Sequence, residues 1–183
     1  MGTAVLTSVG DIRRTENQEP ESGPMYDLIE LFFFAYRDFV GDADRMLENY
    51  RFGRAHHRVL HFVSRAPGLT IAELLKILKI TKQSLNRVLK EVIAEGFIDS
   101  RAGAKDRRHR QLYATAKGER LARDLALLQT RRLSGALGRL GAGAREDATA
   151  FLLAMVDREE HAGIAERVGI APLAPTRRQG GSA

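Results

Sequence analysis

Residues 81–96, TKQSLNRVLKEVIAEG, decide the fold of this chain. As a helix, this stretch places apolar side chains at i, i+3, i+4, i+7 and i+8, which together form one stripe. Thr81 is suited to cap the N-terminus, and Gly96 stands where a helix commonly ends. The stretch is therefore predicted to be an amphipathic helix. Its apolar stripe consists of Leu85, Val88, Leu89, Val92 and Ile93.

The opposite face of this helix carries Gln83, Asn86, Arg87 and Lys90. Such side chains donate hydrogen bonds to phosphates, or reach base edges in a major groove about 12 Å wide. An ordinary surface helix with a solvated polar face accounts for the same pattern equally well. The segments on either side of the helix decide between the two readings.

A short helix is predicted immediately before it. Thr70 and Glu73 have the spacing of a capping box, and only Lys79 and Ile80 separate the end of this short helix from Thr81. Two short helices joined by so tight a turn, the second with a basic outer face, are typical of a helix-turn-helix. The turn lacks the glycine that is often found there.

After Gly96 the apolar period changes to that of strands. Residues 97–101 and 111–115 are predicted to be two short strands, and the loop between them is rich in Arg and Lys. A β-ribbon with a basic loop directly after a helix-turn-helix predicts a winged helix. Arginines of such a wing can enter a narrow minor groove, where negative potential is concentrated.

Long helices are predicted on both sides of this module. The first covers residues 25–47 and has more apolar surface than one contact would bury, and a second covers residues 54–65. Thr115 is predicted to cap a long leucine-rich helix, which Gly141 to Gly143 interrupt, and a final helix is predicted over 144–165. Residues 1–24 and 172–183 have the composition of a disordered arm and tail.

The net charge of +6 is concentrated in the middle of the chain. From Lys76 to Arg123 there are 13 Lys and Arg against 5 Asp and Glu, an excess of +8, whereas the rest has 16 against 18. This distribution is typical of a module that binds a polyanion, although a solvated surface can also be basic.

The sequence has no cysteine, which excludes disulfides and thiolate chemistry and fits a reducing cytoplasm. It also has no apolar run of the roughly 18 residues that span a bilayer.

The order of these elements resembles the MarR family of bacterial winged-helix transcription regulators, over residues 26–160. The most specific segments are ITKQSLNRVLKEVIAEGFI at 80–98 and DRRHRQLYAT at 106–115. The second is similar to the D-x-R…L-T signature of the family, which Asp106, Arg108 and Thr115 match. Ala114 departs from it, because the family usually has Leu at this position, and some packing at the base of the wing is expected to be lost.

The resemblance implies a mainly α fold with a small β-wing, in which a winged helix-turn-helix is joined to a helical dimerisation domain. The DNA-binding domain is expected at 51–115, and the dimerisation region at 25–50 and 116–165. The implied function is that of a cytoplasmic homodimer that binds a pseudo-palindromic double-stranded DNA operator. Family members are commonly repressors that a small aromatic ligand releases, and they require no cofactor.

The resemblance also implies roles for individual residues. Gln83, Ser84, Asn86 and Arg87 are expected to contact bases, and Arg108 to enter the minor groove while Asp106 orients it. An effector pocket is expected near Phe33, Tyr36, His57 and His61, although core packing accounts for the aromatic residues equally well. His57 and His61 lie at i, i+4, but no Cys or obvious carboxylate stands beside them, so a zinc site is not expected. Phosphate contacts are expected from Lys82, Lys90, Lys105, Arg107 and Arg110.

Three other classes of protein remain to be weighed. An enzyme is disfavoured because the sequence has no nucleophile elbow, phosphate-binding loop or dinucleotide fingerprint. A non-specific architectural DNA-binding protein would share the basic charge but would need no two-fold site. A winged helix used only for protein contact would lack affinity for DNA.

Overall fold

The computed structural model of the 183-residue chain describes residues 23–103 and 110–172. Its architecture is mainly helical with a small antiparallel sheet, as the sequence predicted. Among the helices in these ranges, none is both long and apolar enough to cross a membrane. The elements are α1 (Tyr26–Glu48), α2 (Arg54–Arg65), β1 (Leu69–Thr70), α3 (Ile71–Leu78), α4 (Lys82–Ala94), β2 (Ile98–Ala102), β3 (Arg110–Ala114), α5 (Ala116–Leu140), α6 (Ala144–Ala154), a 3-10 turn (Arg158–Glu160) and α7 (His161–Val168).

The chain divides into two compact units, Met1–Asp38 and Phe39–Ala183. The described part of the first unit contains the beginning of α1, where nearly every large apolar side chain is exposed. Phe33, for example, is 63% exposed. These exposed aromatic and aliphatic groups on one helix form an apolar surface that no other described residue covers. It comprises Tyr26, Leu28, Ile29, Leu31, Phe32, Phe33, Phe34 and Tyr36.

The second unit contains one hydrophobic core. Each fully buried Val, Leu or Phe side chain stabilises the fold by about 1.5–3 kcal/mol relative to an exposed one. The core draws on every element from the end of α1 to the first half of α5 and therefore fixes the orientation of α4. Its fully buried members include Leu47, Val59, Leu60, Val63, Leu74, Leu85, Val92, Phe97, Leu112 and Leu125.

The helix-turn-helix forms through local hydrogen bonds. The Thr70 hydroxyl accepts from the Glu73 amide at 3.3 Å, and the Glu73 carboxylate accepts from the Thr70 amide at 2.8 Å, which confirms the predicted capping box. The position that glycine often occupies in this turn is taken by Lys79, which itself adopts the left-handed conformation with φ of 49°. Thr81 then caps α4 by accepting from the Ser84 amide at 3.2 Å.

The sheet has three strands in the order β1-β3-β2, one more than the sequence predicted. In the hairpin, Ser100 of β2 lies opposite Leu112 of β3. The additional strand, β1, pairs Leu69 with Leu112 and Thr70 with Gln111. Because β1 is only two residues long, it has no alternating pattern that sequence reasoning could detect.

The end of α4 and the beginning of α5 are joined by several hydrogen bonds. The Thr115 hydroxyl donates to the Gly96 carbonyl at 2.8 Å and accepts from the Gly118 amide at 3.1 Å, so it caps α5 as predicted. Lys117 donates to the Glu95 carbonyl at 2.8 Å. These contacts fix the direction in which α5 leaves the winged helix.

The predicted final helix over 144–165 is wrong, because α6 ends at Ala154 and α7 begins only at His161. His161 donates through Nε2 to the Val156 carbonyl at 2.6 Å, which satisfies an acceptor at the break. The ammonium group of Lys79 lies 2.9 Å from the Glu160 carboxylate and 3.8 Å from that of Asp157. The break is therefore accompanied by contacts with the distant helix-turn-helix, which the local sequence pattern does not contain.

Candidate nucleic-acid interface

Helix α4 is held by one apolar face. Leu85, Val88, Leu89 and Val92 are buried, in agreement with the predicted stripe. Ile93 is 38% exposed, so its inclusion in that stripe is wrong. It is the last of the five apolar positions, one residue before the helix ends at Ala94, where the core no longer covers it. The four buried side chains leave the opposite face of α4 free for contact with another molecule.

That opposite face carries the residues expected to contact bases. Gln83, Asn86 and Arg87 are all exposed, and among the described residues none of their side chains has a hydrogen-bond or ion-pair partner. Ser84 differs from them, because its hydroxyl accepts from Thr81 at 3.0 Å. Three donor groups on the exposed face of a helix whose other face is buried can form new hydrogen bonds without breaking any to the described residues.

Two lysines flank these groups on α4. Lys82 occupies the first helical position and Lys90 lies one turn beyond Asn86, and both are exposed. Their positive charges border the face that carries Asn86 and Arg87. This arrangement of point charges around amide and guanidinium donors is suited to phosphates on either side of a set of base edges.

His56, which the sequence presents only as one of three neighbouring histidines, connects α2 to α4. The Gly53 amide donates to Nδ1 of His56 at 3.0 Å, so the ring proton is on Nε2. Nε2 in turn donates to the Glu91 carboxylate at 2.6 Å. The imidazole also stacks on Phe52, with ring centroids 4.6 Å apart. Because Glu91 lies on α4, this link restrains the helix that carries the exposed donors.

The wing is described only in part. Lys105, Asp106, Arg107 and Arg108 lie outside the described residues, and their expected roles stay predictions. Arg110, expected to contact phosphate, donates through Nη2 to the Ser100 carbonyl at 2.6 Å and through Nε to the Ser100 hydroxyl at 2.9 Å. Its guanidinium group therefore joins the two strands of the hairpin.

The residues of the expected effector pocket have different environments. Phe33 and Tyr36 are exposed side chains of the first unit. His57 and His61 are half-buried, and burial is the main cause that lowers the pKa of each below 6.5. His61 lines a cleft of about 520 Å³ between α2 and α7, together with Arg65 and other residues, whereas His57 does not line it. Among the described residues, no group of three or more His, Asp or Glu side chains could hold a metal ion.

Two sequence comparisons bear on this surface. Residues 52–109 match the family model described as MarR family. The chain is also 46% identical over 129 residues to the HTH-type transcriptional regulator PetP of Rhodobacter capsulatus. That alignment covers 70% of this chain and 78% of PetP. The matched segment of the family model contains α4 and the exposed donors described above.

Solved structures support the fold. The transcriptional regulator SlyA superposes with a TM-score of 0.62 at 19% identity, over 78% of this chain and 99% of that one. MepR of S. aureus in a DNA-binding conformation gives 0.61 at 21% identity, over 70% and 95%. A mutant MarR from E. coli complexed with operator DNA gives 0.57 at 18% identity, over 74% and 100%. At these identities the likeness concerns the fold alone.

Proposed function

Because the chain belongs to the MarR family of transcriptional regulators, we propose that it binds a pseudo-palindromic double-stranded DNA operator as a homodimer and represses transcription until a small ligand releases it. The observation that carries the proposal is the exposed face of α4. Its amide and guanidinium groups have no partner among the described residues, while the other face is fixed in the core.

The proposed reading of sequence follows from the chemistry of these groups. Arg87 is suited to the O6 and N7 atoms of guanine, and Asn86 or Gln83 to the N6 and N7 atoms of adenine. Each such pair contributes about 1–3 kcal/mol of discrimination against the wrong base. Lys82 and Lys90 are proposed to bind phosphates, which position the helix without reading sequence. Ser84 is proposed as a weaker base contact, since its hydroxyl is already engaged with Thr81.

The homodimer is proposed because helices that precede and follow the winged helix in the chain expose apolar side chains. The first half of α1 exposes its aromatic row, and the second half of α5 exposes Leu133 and Leu140. Helix α6 adds Phe151 and Leu152, Met155 follows directly after the helix, and each of the three is more than half exposed. Exposed apolar surface on this scale is typical of interaction sites. These helices fall in the regions 25–50 and 116–165 that are proposed for dimerisation, and two-fold symmetry would place half-site centres about 34 Å apart.

The ligand response is proposed to use a small aromatic effector. A cleft of about 520 Å³ is within the usual size range of ligand sites. His61 and Phe62 line it with perpendicular rings, 5.1 Å apart at their centroids. This cleft supports a role for His61, whereas the contributions of His57, Phe33 and Tyr36 are proposed without a cleft of their own.

The test is binding of the purified protein to DNA from the promoter region next to its gene, against a scrambled duplex, at two salt concentrations. Specific binding should be at least about a thousandfold tighter than binding to the scrambled duplex and should weaken steeply with salt. Equal, weak binding to both duplexes would refute the regulator and favour a non-specific architectural DNA-binding protein, for which the basic charge would suffice.

Two variants distinguish recognition of bases from binding of phosphates. Arg87→Ala should lose about 1–3 kcal/mol and relax the preference at one base pair, because its bidentate contact is gone. Lys90→Gln should weaken binding to all sequences alike and reduce the salt slope by about one. Arg145→Gln removes an exposed arginine on α6 and serves as the control. If Arg87→Ala weakens binding to every duplex equally, Arg87 does not read a base.

A further inference from the structure

A basic cleft lies between the end of α1 and the second half of α5, away from α4. It has a volume of about 600 Å³ and is shallow and largely open to solvent. Met46 and Leu128 provide apolar wall. Such a concentration of guanidinium groups in one cleft is unfavourable by itself, because like charges repel. The charged groups that line it are Asp42, Arg45, Arg131, Arg132 and Arg139.

Both oxygens of the single carboxylate that lines the cleft, that of Asp42, are paired with arginines. Arg132 approaches Asp42 Oδ2 through Nη2 at 2.7 Å and through Nε at 2.8 Å. Arg45 contacts the other carboxylate oxygen of Asp42. The hydrogen bond from Arg132 lowers the pKa of Asp42, so this group is ionised at neutral pH. One negative charge therefore stands against four positive charges, and an excess of +3 remains.

The other two arginines have no such partner. In the part of the chain that the structure describes, neither Arg131 nor Arg139 forms an ion pair or a side-chain hydrogen bond. They are eight residues apart on α5, so their Cα atoms are separated by about 12 Å along the helix axis. Both are on the side of α5 that faces the cleft.

Gly135 lies midway between these two arginines, on the same face of α5. Glycine is among the poorest helix formers, and a Cβ atom at this position would meet nothing within 4 Å. Neither the backbone conformation nor packing against the described residues therefore requires glycine here. Its absent side chain leaves the floor of the cleft open between the two guanidinium groups.

We propose that this cleft is a binding site for a small organic oxyanion with at least two negative charges, of the polycarboxylate or phosphate-ester class. Guanidinium groups bind carboxylate and phosphate oxygens through paired hydrogen bonds, and this geometry favours arginine over lysine. A multivalent anion neutralises the excess charge that a monovalent one would leave. The carbon skeleton of such a ligand would rest on Met46 and Leu128.

The site is independent of the proposed DNA contacts, since no residue of α4 lines it. The site can be tested by isothermal titration calorimetry of the 183-residue protein with citrate, inorganic phosphate and acetate, each at the same ionic strength. Citrate should bind saturably and raise the midpoint of thermal unfolding, inorganic phosphate should bind more weakly, and acetate should not bind. Stronger binding of phosphate than of citrate would assign the site to phosphate groups, within the same class of ligand.

Variants locate the site. Arg131→Gln with Arg139→Gln should weaken citrate binding at least about tenfold, because the two unpaired guanidinium groups are gone. Gly135→Leu should have a similar effect by filling the floor, while it replaces a poor helix former with a good one. Arg123→Gln with Arg145→Gln removes the same charge from exposed positions outside the cleft and should leave citrate binding unchanged. Circular dichroism and sedimentation velocity show whether each variant keeps its fold and its oligomeric state.

Three results would overturn the proposal. The first is an absence of citrate and phosphate binding to the unaltered protein, and the second is equal loss in the cleft and control variants, which would indicate a general charge effect. The third is weaker self-association of the Arg131→Gln, Arg139→Gln variant without any anion binding, which would assign the cleft to acidic groups of a second copy. Failure to bind an operator while citrate binds at this cleft would refute only the proposed function.

Discussion

Among the described glycines, Gly118 is the one at which an added methyl group would make the closest contact. It is buried in the first turn of α5, and a Cβ atom there would lie 2.0 Å from the Phe97 carbonyl oxygen and 3.0 Å from its carbon. The oxygen cannot move easily, because it accepts from the Thr115 amide at 3.0 Å and from the Thr115 hydroxyl at 3.3 Å. In Gly118→Ala, the beginning of α5 must therefore move away from the Phe97 carbonyl by about 1 Å or more.

The expected cost has three parts. Overpacking a well-filled site costs about 1–3 kcal/mol, and the rigid backbone acceptor places this site at the upper end. Displacing Thr115 from its capping position costs about a further 1 kcal/mol. Replacing glycine by alanine in a helix returns about 1 kcal/mol. We expect Gly118→Ala to lose about 3 kcal/mol of unfolding free energy, a large share of the roughly 5–15 kcal/mol of a typical domain.

Urea denaturation followed by circular dichroism, at one fixed protein concentration, measures this loss. Gly138→Ala is the matched control, because it lies in the same helix and its added Cβ would meet nothing within 4 Å. The control should gain up to about 1 kcal/mol from helix propensity alone. If the two variants had equal midpoints, the close approach of α5 to the Phe97 carbonyl would not be the reason for a glycine at this position.

Three further predictions concern other parts of the second unit. Because burial holds the pKa of His57 and His61 below 6.5, the unfolded chain takes up protons at these residues before the folded chain does as the pH falls. The free energy of unfolding should therefore decrease below about pH 6.5. The difference between the urea midpoints at about pH 7.5 and about pH 5.5 should be smaller in the His57→Gln, His61→Gln variant than in the unaltered protein. Arg51→Gly should gain about 0.5 kcal/mol, because Arg51 has a φ of 57°, and a lower urea midpoint would contradict this. His56→Ala should lose about 2 kcal/mol of unfolding free energy through its bonds to the Gly53 amide and to Glu91, and an unchanged midpoint would show that this link contributes nothing.

The elements that the sequence predicted best are those whose signals are local. The bounds 54–65 of α2 agree with the structure, and the caps Thr70, Thr81 and Thr115 all form. A capping hydrogen bond joins residues three apart, so its donor and acceptor are both visible in a short stretch of sequence. The apolar stripe of α4 was equally visible, apart from Ile93 at its end.

The features that the sequence did not reveal depend on distant contacts. Strand β1 exists because Leu69 pairs with Leu112, more than forty residues later in the chain. The break after α6 is accompanied by ion pairs of Lys79 with Asp157 and Glu160. The same holds for the candidate interface, where exposure of the α4 donors was predictable from periodicity but the tether from His56 was not. No pattern within one helix indicates a partner on another.

Helix α5 connects the surface proposed to bind DNA with the region proposed for dimerisation. Its first half belongs to the core that fixes α4, through buried Leu121 and Leu125, and its second half exposes Leu133 and Leu140. With 25 residues it is about 37 Å long. A rotation of about 5° at its exposed end would therefore move the other end by about 3 Å, close to the rise of one base pair, 3.4 Å. In the proposed homodimer, a small change where the second half of α5 meets the dimer contact would be enough to move α4 out of register with its half-site.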